Sequence, residues 1–399
     1  MEFEAWWLIA LPIFFGLGWL ASTANNKKQM EQTRQLPKAY FKGLNFLLDE
    51  EPDKAIDALI DVARVDTGTV DLYFSLGHLF AQRGEIARAI RVYQSLLERA
   101  DLPEGARQNA LHKLGLVFLQ GGLFDRAEEC FKLLRDTDWH EVALQQLLLI
   151  YQSQQEWQQA IEVAEQMVRT PESELALTHF HCERASIAIT QKDFTLAERE
   201  IGTALALRPQ SIRALLLKAR WYSSQDRHTE AVAQLKQLAS EQPAAIPLLV
   251  TDIMNVYEAL GEPAAGLQYL HDQALNTGSV DVLNAWLTAQ EKHGDASTTM
   301  QQLYPVFTKH PSLNALDKVL KQRLLITTDE PVQQELKAIE GLIKKQVLQF
   351  SRYRCASCGF EAARYYWQCP ACTRWESYPP KRLEELEQAK HSRAQVNGY

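Results

Sequence analysis

Between about residue 36 and residue 311 the chain repeats itself with a period near 34, and this period limits the possible folds more than any other feature. The stretch YFSLGHLFAQRGEIARAIRVY, Tyr73 to Tyr93, aligns with LHKLGLVFLQGGLFDRAEECF, Leu111 to Phe131. A Leu-Gly pair, a Phe three residues later, a turn glycine, an alanine and an aromatic recur in register. The alanine or its substitute falls at Ala55, Ala89, Ala127, Ala160, Ala197, Ala231, Gly266 and Thr299, at spacings of 34, 38, 33, 37, 34, 35 and 33. A unit this short cannot bury its apolar face alone, so the units must stack on one another.

The unit resembles the tetratricopeptide repeat, a helix, a turn and a second helix. Small residues of the first helix (Gly43, Gly77, Gly115, Ala185, Ala219) and of the second (Ala55, Ala89, Ala127, Ala160) let the two approach closely. Phe46, Phe80, Phe118, Tyr151, Tyr222 and Tyr257 fill the space between them. Pro171, Pro209, Pro243 and Pro311 mark where a second helix should stop. Later units depart from the pattern: Met254 and Leu287 replace the small residue of the first helix, and Thr299 replaces the alanine. About eight units are expected over 36–311, with capping helices over 312–348 that present a changed outer face. The fold class is mainly α, a right-handed solenoid whose first helices line a protein-binding groove. The register places Phe74, His78, Asn109, His112, Arg213, Arg220, Asp252, Asn255, Glu258, Asp281 and Asn284 on that groove.

Ahead of the repeats, no charged residue occurs from Ala5 to Asn26, a stretch that includes WWLIALPIFFGLGWLA. In a helix its 22 residues cross a hydrocarbon core of about 30 Å. A secretory signal would begin with positive charge, but here Glu2 and Glu4 precede the apolar run while Lys27, Lys28, Arg34, Lys38 and Lys42 follow it. Residues 1–26 are therefore expected to be a transmembrane anchor, with the amino terminus outside and the rest of the chain cytoplasmic.

The repeat body shows no phosphate loop, metalloprotease motif or nucleophile elbow, and the chain reads as a non-enzyme. His179 and His181 lie two apart, pointing about 200° from each other on a helix, and cannot share a metal. Cys130 and Cys182 read as buried small hydrophobes. A formal charge of -8 argues against nucleic acid as a general partner, so any basic function must be local.

Chemistry concentrates in CASCGFEAARYYWQCPAC, where Cys355, Cys358, Cys369 and Cys372 form two Cys-x-x-Cys pairs. Two such knuckles supply a tetrahedral four-thiolate site for one metal per chain. Residues 350–380 resemble a rubredoxin-like zinc ribbon, with Gly359 after the first knuckle and Pro370 inside the second. Thr373 stands where that pattern usually has a second glycine. Four thiolates leave no open position for catalysis, and a module this small needs a staple, so zinc is the expected metal and iron the alternative. Phe360, Tyr365, Tyr366, Trp367, Trp375 and Tyr378 exceed what the ribbon can bury, so it should dock on the repeats or on a partner. Residues 381–399 read as a solvated polar tail.

An apolar amino-terminal stretch, a tetratricopeptide array and a carboxy-terminal Cys-x-x-Cys pair, in this order, resemble the lipopolysaccharide assembly protein B family over the whole chain. The resemblance implies an adaptor at the bacterial inner membrane that regulates lipopolysaccharide synthesis. Its implied partners are a membrane-anchored AAA+ protease, the lipid A pathway deacetylase as proteolysis substrate, and other inner-membrane lipopolysaccharide proteins. Two other readings stay open from the residues: an electron-transfer protein with an iron four-thiolate centre, and a periplasmic envelope-assembly scaffold.

Overall fold

Close approach of paired helices organises the protein, a computed structural model that describes residues 45, 46, 54, 58 and 70–388. The expected anchor over 1–26 lies outside the described residues, as does most of the first expected repeat. Among the described residues no helix is long and apolar enough to cross a membrane. Two compact units divide the chain, Met1–Glu156 and Trp157–Tyr399.

In the first unit, α1 (Val70–Gln82), α2 (Ile86–Leu97), α3 (Glu104–Gln120), α4 (Phe124–Leu133) and α5 (His140–Gln154) follow one another, each against the next. Glycine sets the spacing of the pairs. A Cβ placed on Gly77 would meet the Tyr93 ring at 2.5 Å, and one on Gly115 would meet the Phe131 ring at 2.7 Å. Each first helix thus receives an aromatic ring of its partner where a side chain would otherwise stand, while Ala89 and Ala127 on the partner helices are fully buried. Arg107 ties the α2–α3 turn, donating to the carbonyls of Leu97 at 3.1 Å and Arg99 at 2.9 Å. Carbonyls at and just past a helix end need donors from outside the helix.

The second unit holds α6 (Trp157–Ala164), α7 (Pro171–Gln191), α8 (Phe194–Leu207), α9 (Ile212–Ser223), α10 (His228–Glu241), α11 (Ile246–Ala259), α12 (Pro263–Thr277), α13 (Val280–His293), α14 (Ala296–Lys309), α15 (Leu313–Ile326) and α16 (Glu330–Phe350). Pro209, Pro243 and Pro311 fall just past helix ends, but Pro171 opens α7 instead of closing α6. There Thr170 and Ser173 cap each other's amides, a start signal that suits proline in the first turn. The irregular unit at Met254 is rebalanced on its second helix. Gly266 replaces the usual alanine, and a Cβ there would meet Tyr257 Cβ at 2.9 Å and Met254 Sδ at 3.0 Å. Bulk added to one helix is removed from the other, so the pair keeps its separation.

Ion pairs stitch first helices about one repeat apart. Arg220 on α9 binds Asp252 on α11 through two bonds of 2.7 and 2.9 Å. Glu258 on α11 receives Lys292 at 2.5 Å and His293 at 2.8 Å, both from α13.

After α16 the chain forms a ribbon in which β1 (Tyr353–Arg354) pairs antiparallel with β2 (Glu361–Ala362). This pairing brackets the first knuckle, and an antiparallel bridge between Gln368 and Trp375 brackets the second. Residues 381–388 differ from the expected solvated tail. Leu383 and Glu384 are buried, and three of the five charged residues there, Arg382, Glu384 and Glu385, have partners in the repeat helices.

The close approach is testable with two glycines of one helix. Gly115→Ala should destabilise the first unit by about 1–3 kcal/mol because the Phe131 ring must move. Gly105→Ala, where nothing lies within 4 Å, should stabilise α3 by at most about 1 kcal/mol. Urea unfolding of both variants checks the pair, and equal effects would contradict this packing.

Candidate metal centre and its docking face

The two knuckles share one backbone pattern. Cys355 and Cys369 accept the amides of Gly359 and Thr373 at 3.0 and 2.8 Å, and donate their own amides to the carbonyls of Phe360 and Arg374, both at 2.9 Å. Both turns need a left-handed residue after the second cysteine: Gly359 has φ +79° and Thr373 has φ +57°. Glycine takes this conformation freely, whereas a β-branched threonine is strained there. The missing glycine is therefore a substitution at a position whose geometry has not changed.

The four sulfur atoms lie within 4.8 Å of one another, with Cys355 to Cys372 at 3.8 Å and Cys358 to Cys369 at 3.7 Å. A tetrahedron with metal–sulfur bonds of about 2.3 Å has edges of about 3.8 Å, so the cage fits such an ion. Proton affinities point the same way. Burial pushes the Cys355 thiol up, but the Ser377 hydroxyl and the Cys358 and Ser357 amides outweigh it and bring it to about 6. For Cys358, the Phe360 amide favours the thiolate, yet lost hydration and the neighbouring thiols drive it up to about 12. Four thiolates this close cannot all ionise without a cation among them. Tyr378 is buried with its hydroxyl 3.8 Å from Cys369 Sγ, so it closes one wall of the cage.

The surplus aromatics pack on the repeats. Trp375 stacks on His179 of α7, with centroids 4.5 Å apart and planes 8° from parallel, and meets Phe180 and Trp157 edge-on at 6.0 and 6.4 Å. Trp367 lies 6.1 Å from His179 and packs against the apolar core of α9 to α15. Arg213 of α9 is 8% exposed, with its guanidinium 5.6 Å from the Trp367 ring and 5.8 Å from the Trp375 ring. It binds Glu183 at 2.8 Å and donates to His179 Nδ1 at 3.3 Å. His179 Nε2 stands 3.1 Å from Glu376, whose backbone is left-handed at φ +49°. Both ring nitrogens are matched when His179 is neutral, donating from Nε2 and accepting at Nδ1. Burial is the main cause that pulls its pKa down, followed by the opposing Glu376 bond and the Arg213 charge.

A second attachment is ionic. Asp281 of α13 accepts from the Tyr353 hydroxyl at 2.6 Å and from Arg382 through bonds of 2.9 and 2.6 Å. Glu384 takes the first amides of α15, Leu313 and Asn314, together with the Asn314 side chain at 2.5 Å. Glu385 takes the Val280 amide that opens α13, at 3.3 Å. Consecutive carboxylates thus cap two helices whose dipoles favour them.

The expected groove residues divide by what they touch. Arg213 and Asp281 face the chain's own ribbon; Arg220 and Asp252 hold each other, and Glu258 holds α13. Phe74 lies 6.2 Å from Tyr93, and His112 lies 4.6 Å from Trp139 with the ring planes tilted by 32°. Asn109 and Asn284 are half-buried, leaving His78 and Asn255 exposed. A cleft of about 250 Å³ lies beside Arg220, Asp252 and Asn255. His181 turns to Glu200 at 2.7 Å, away from the partners of His179, so the two rings share nothing. The sequence reading missed His179 as a docking residue. It lies one 34-residue repeat before Arg213, and Asp281 lies two repeats after it, so one register position carries all three contacts. Glu376, Glu384 and Glu385 had no such signal, because their partners lie far off in sequence.

A family model described as rubredoxin metal binding domain matches residues 353–379, and one described as tetratricopeptide repeat matches residues 42–106, 74–142 and 182–246. The chain is 31% identical over 379 residues to a protein of Escherichia coli strain K12 named lipopolysaccharide assembly protein B, covering 94% of this chain and 97% of that one. A protein of the same name from Haemophilus influenzae is 28% identical over 391 residues, covering 94% and 98%.

Thr373→Gly should stabilise the ribbon by about 1 kcal/mol, seen as slower metal loss to a chelator; no gain would mean that the turn is unstrained. Docking should also weaken in acid. The lowered pKa of His179 means that its contribution is complete above the ordinary histidine range and is lost as pH falls through the depressed value. Hydrogen exchange in α7 and residues 374–377 should rise from pH 7.5 toward about pH 5 after correction for intrinsic rates. Unchanged protection would refute the neutral-imidazole arrangement.

Proposed function

The chain belongs to the lipopolysaccharide assembly protein B family, and from that premise we propose that it is a non-catalytic adaptor anchored in the bacterial inner membrane by residues 1–26. In this reading it presents the lipid A pathway deacetylase to a membrane-anchored AAA+ protease and answers to other inner-membrane lipopolysaccharide proteins. The body of the chain is cytoplasmic. The observation that carries the reading is the docked ribbon, a small four-cysteine module held in place against α7, α9 and α13. An adaptor needs that property, because presenting a substrate to a protease is a matter of held geometry.

Each part has a physical task. A membrane anchor would convert a three-dimensional search for the protease into a local one at high effective concentration. Tetratricopeptide helices supply contact area through exposed positions such as His78 and Asn255. Zinc held by Cys355, Cys358, Cys369 and Cys372 would supply structure alone, since four thiolates close its coordination sphere. Tyr378 walls the cage, while Trp367 and Trp375 carry the ribbon's position to the repeats.

Two variants test the reading in cells. Cys369→Ala should lose the metal and unfold the ribbon. Arg213→Ala should keep one metal per chain but free the ribbon from α7 and α9. Both should raise deacetylase abundance several-fold, and the protease and deacetylase should co-purify with the unaltered chain from native membranes. Normal deacetylase turnover in both variants would overturn the adaptor role.

A further inference from the structure

The whole chain carries a formal charge of -8, yet residues 351–382 hold six cations against two carboxylates. Two of the six are committed: Arg354 binds Glu361 at 2.7 Å, and Arg382 binds Asp281. Arg352, Arg364 and Lys381 are exposed and have no ion pair among the described residues. The fold gathers these three. Arg382 donates to the carbonyls of Ser351 and Ala363, so its guanidinium holds together the backbone beside Arg352 and Arg364, while Lys381 is its own chain neighbour. The Leu383 amide, bonded to the Arg352 carbonyl at 2.8 Å, closes the same cluster. Arg382 is itself spent on Asp281 and on the Tyr353 ring, 4.6 Å away, so the backbone that carries the three exposed cations is held around a guanidinium turned inward.

We propose that Arg352, Arg364 and Lys381 form a docking surface for an anionic phospholipid bilayer, holding the ribbon against the membrane that carries the chain. The proposal rests on the anchored reading above. Three cations bind phosphate groups weakly on their own, but a tethered chain meets the bilayer at high effective concentration, where each lysine or arginine near an anionic leaflet adds attraction. The basic run Lys27, Lys28, Arg34, Lys38 and Lys42 behind the expected anchor has the same sign, so both ends of the chain favour one leaflet. An acidic protein segment would suit the same charges; the bilayer is favoured because the anchored reading keeps it permanently within reach, and the test separates the two.

The test uses the full chain reconstituted into vesicles of phosphatidylcholine alone and into vesicles containing one third phosphatidylglycerol by the experimenter's choice, about 0.33 mole fraction. Acylation of Lys381 is read by peptide mapping, with exposed Lys192 as the internal reference. In anionic vesicles Lys381 should react at least about fivefold more slowly than in neutral ones, with Lys192 unchanged. High salt should abolish the protection, as should Arg352→Ser with Arg364→Ser in a chain that keeps its metal. Equal Lys381 reactivity in the two vesicles overturns the proposal. Protection by soluble polyglutamate but not by phosphatidylglycerol overturns it in favour of an acidic protein partner. Carbonate extraction of the same vesicles reports on the anchor separately: a chain that is retained but unprotected loses only the lipid surface, and a chain that is stripped loses the anchored reading.

Discussion

One buried guanidinium centres the attachment of the metal-binding ribbon to α7 and α9. Arg213 is buried between the rings of Trp367 and Trp375, with Glu183 as its counter-ion and His179 as its hydrogen-bond acceptor. A buried charge is costly unless it is paired and hydrogen-bonded, and this one is satisfied partly by α7 and partly by ribbon aromatics. Removing any one of these elements would leave the charge under-compensated. The metal ribbon and the repeats are therefore thermodynamically linked, although most of each is built from its own contacts.

This linkage explains why a module with so few apolar residues carries so many aromatics. Tyr378 and Tyr353 are buried in the ribbon's own core, while Trp367 and Trp375 lie outside that core and pack on α7, α9 and the helices beyond, where they remain half-buried. The second attachment adds direction. Glu384 and Glu385 each cap a different helix, and Arg382 fixes the turn between them and the ribbon. Stacking on one side and capping on the other leave the ribbon little freedom to rotate.

How much of this could be read from the sequence depended on the range of the interaction. The repeat period, the close approach at Gly77 and Gly115, and the four-cysteine cage are local or periodic, and the residues declare them. Thr373 shows the same legibility in reverse: it stands out as a departure because the knuckle demands a left-handed residue there. Arg213 and Asp281 were assigned to the groove by register, but the sequence could not say that the chain's own carboxy terminus touches them. Residues 381–388, the described part of the expected tail, differ from it for a related reason. Charged residues signal solvent unless their partners are known, and those of Glu384 lie 70 and 71 residues away.

The central claim is that the ribbon and the repeats form one energetic unit through the Arg213 cluster. A double-mutant cycle of Arg213→Ala and Trp375→Ala, read by urea unfolding of the metal-loaded chain, tests it most directly. The account predicts a coupling of at least about 1 kcal/mol between the two sites. Effects that add to within about 0.3 kcal/mol would contradict it and leave the Arg213 cluster without a part in the linkage.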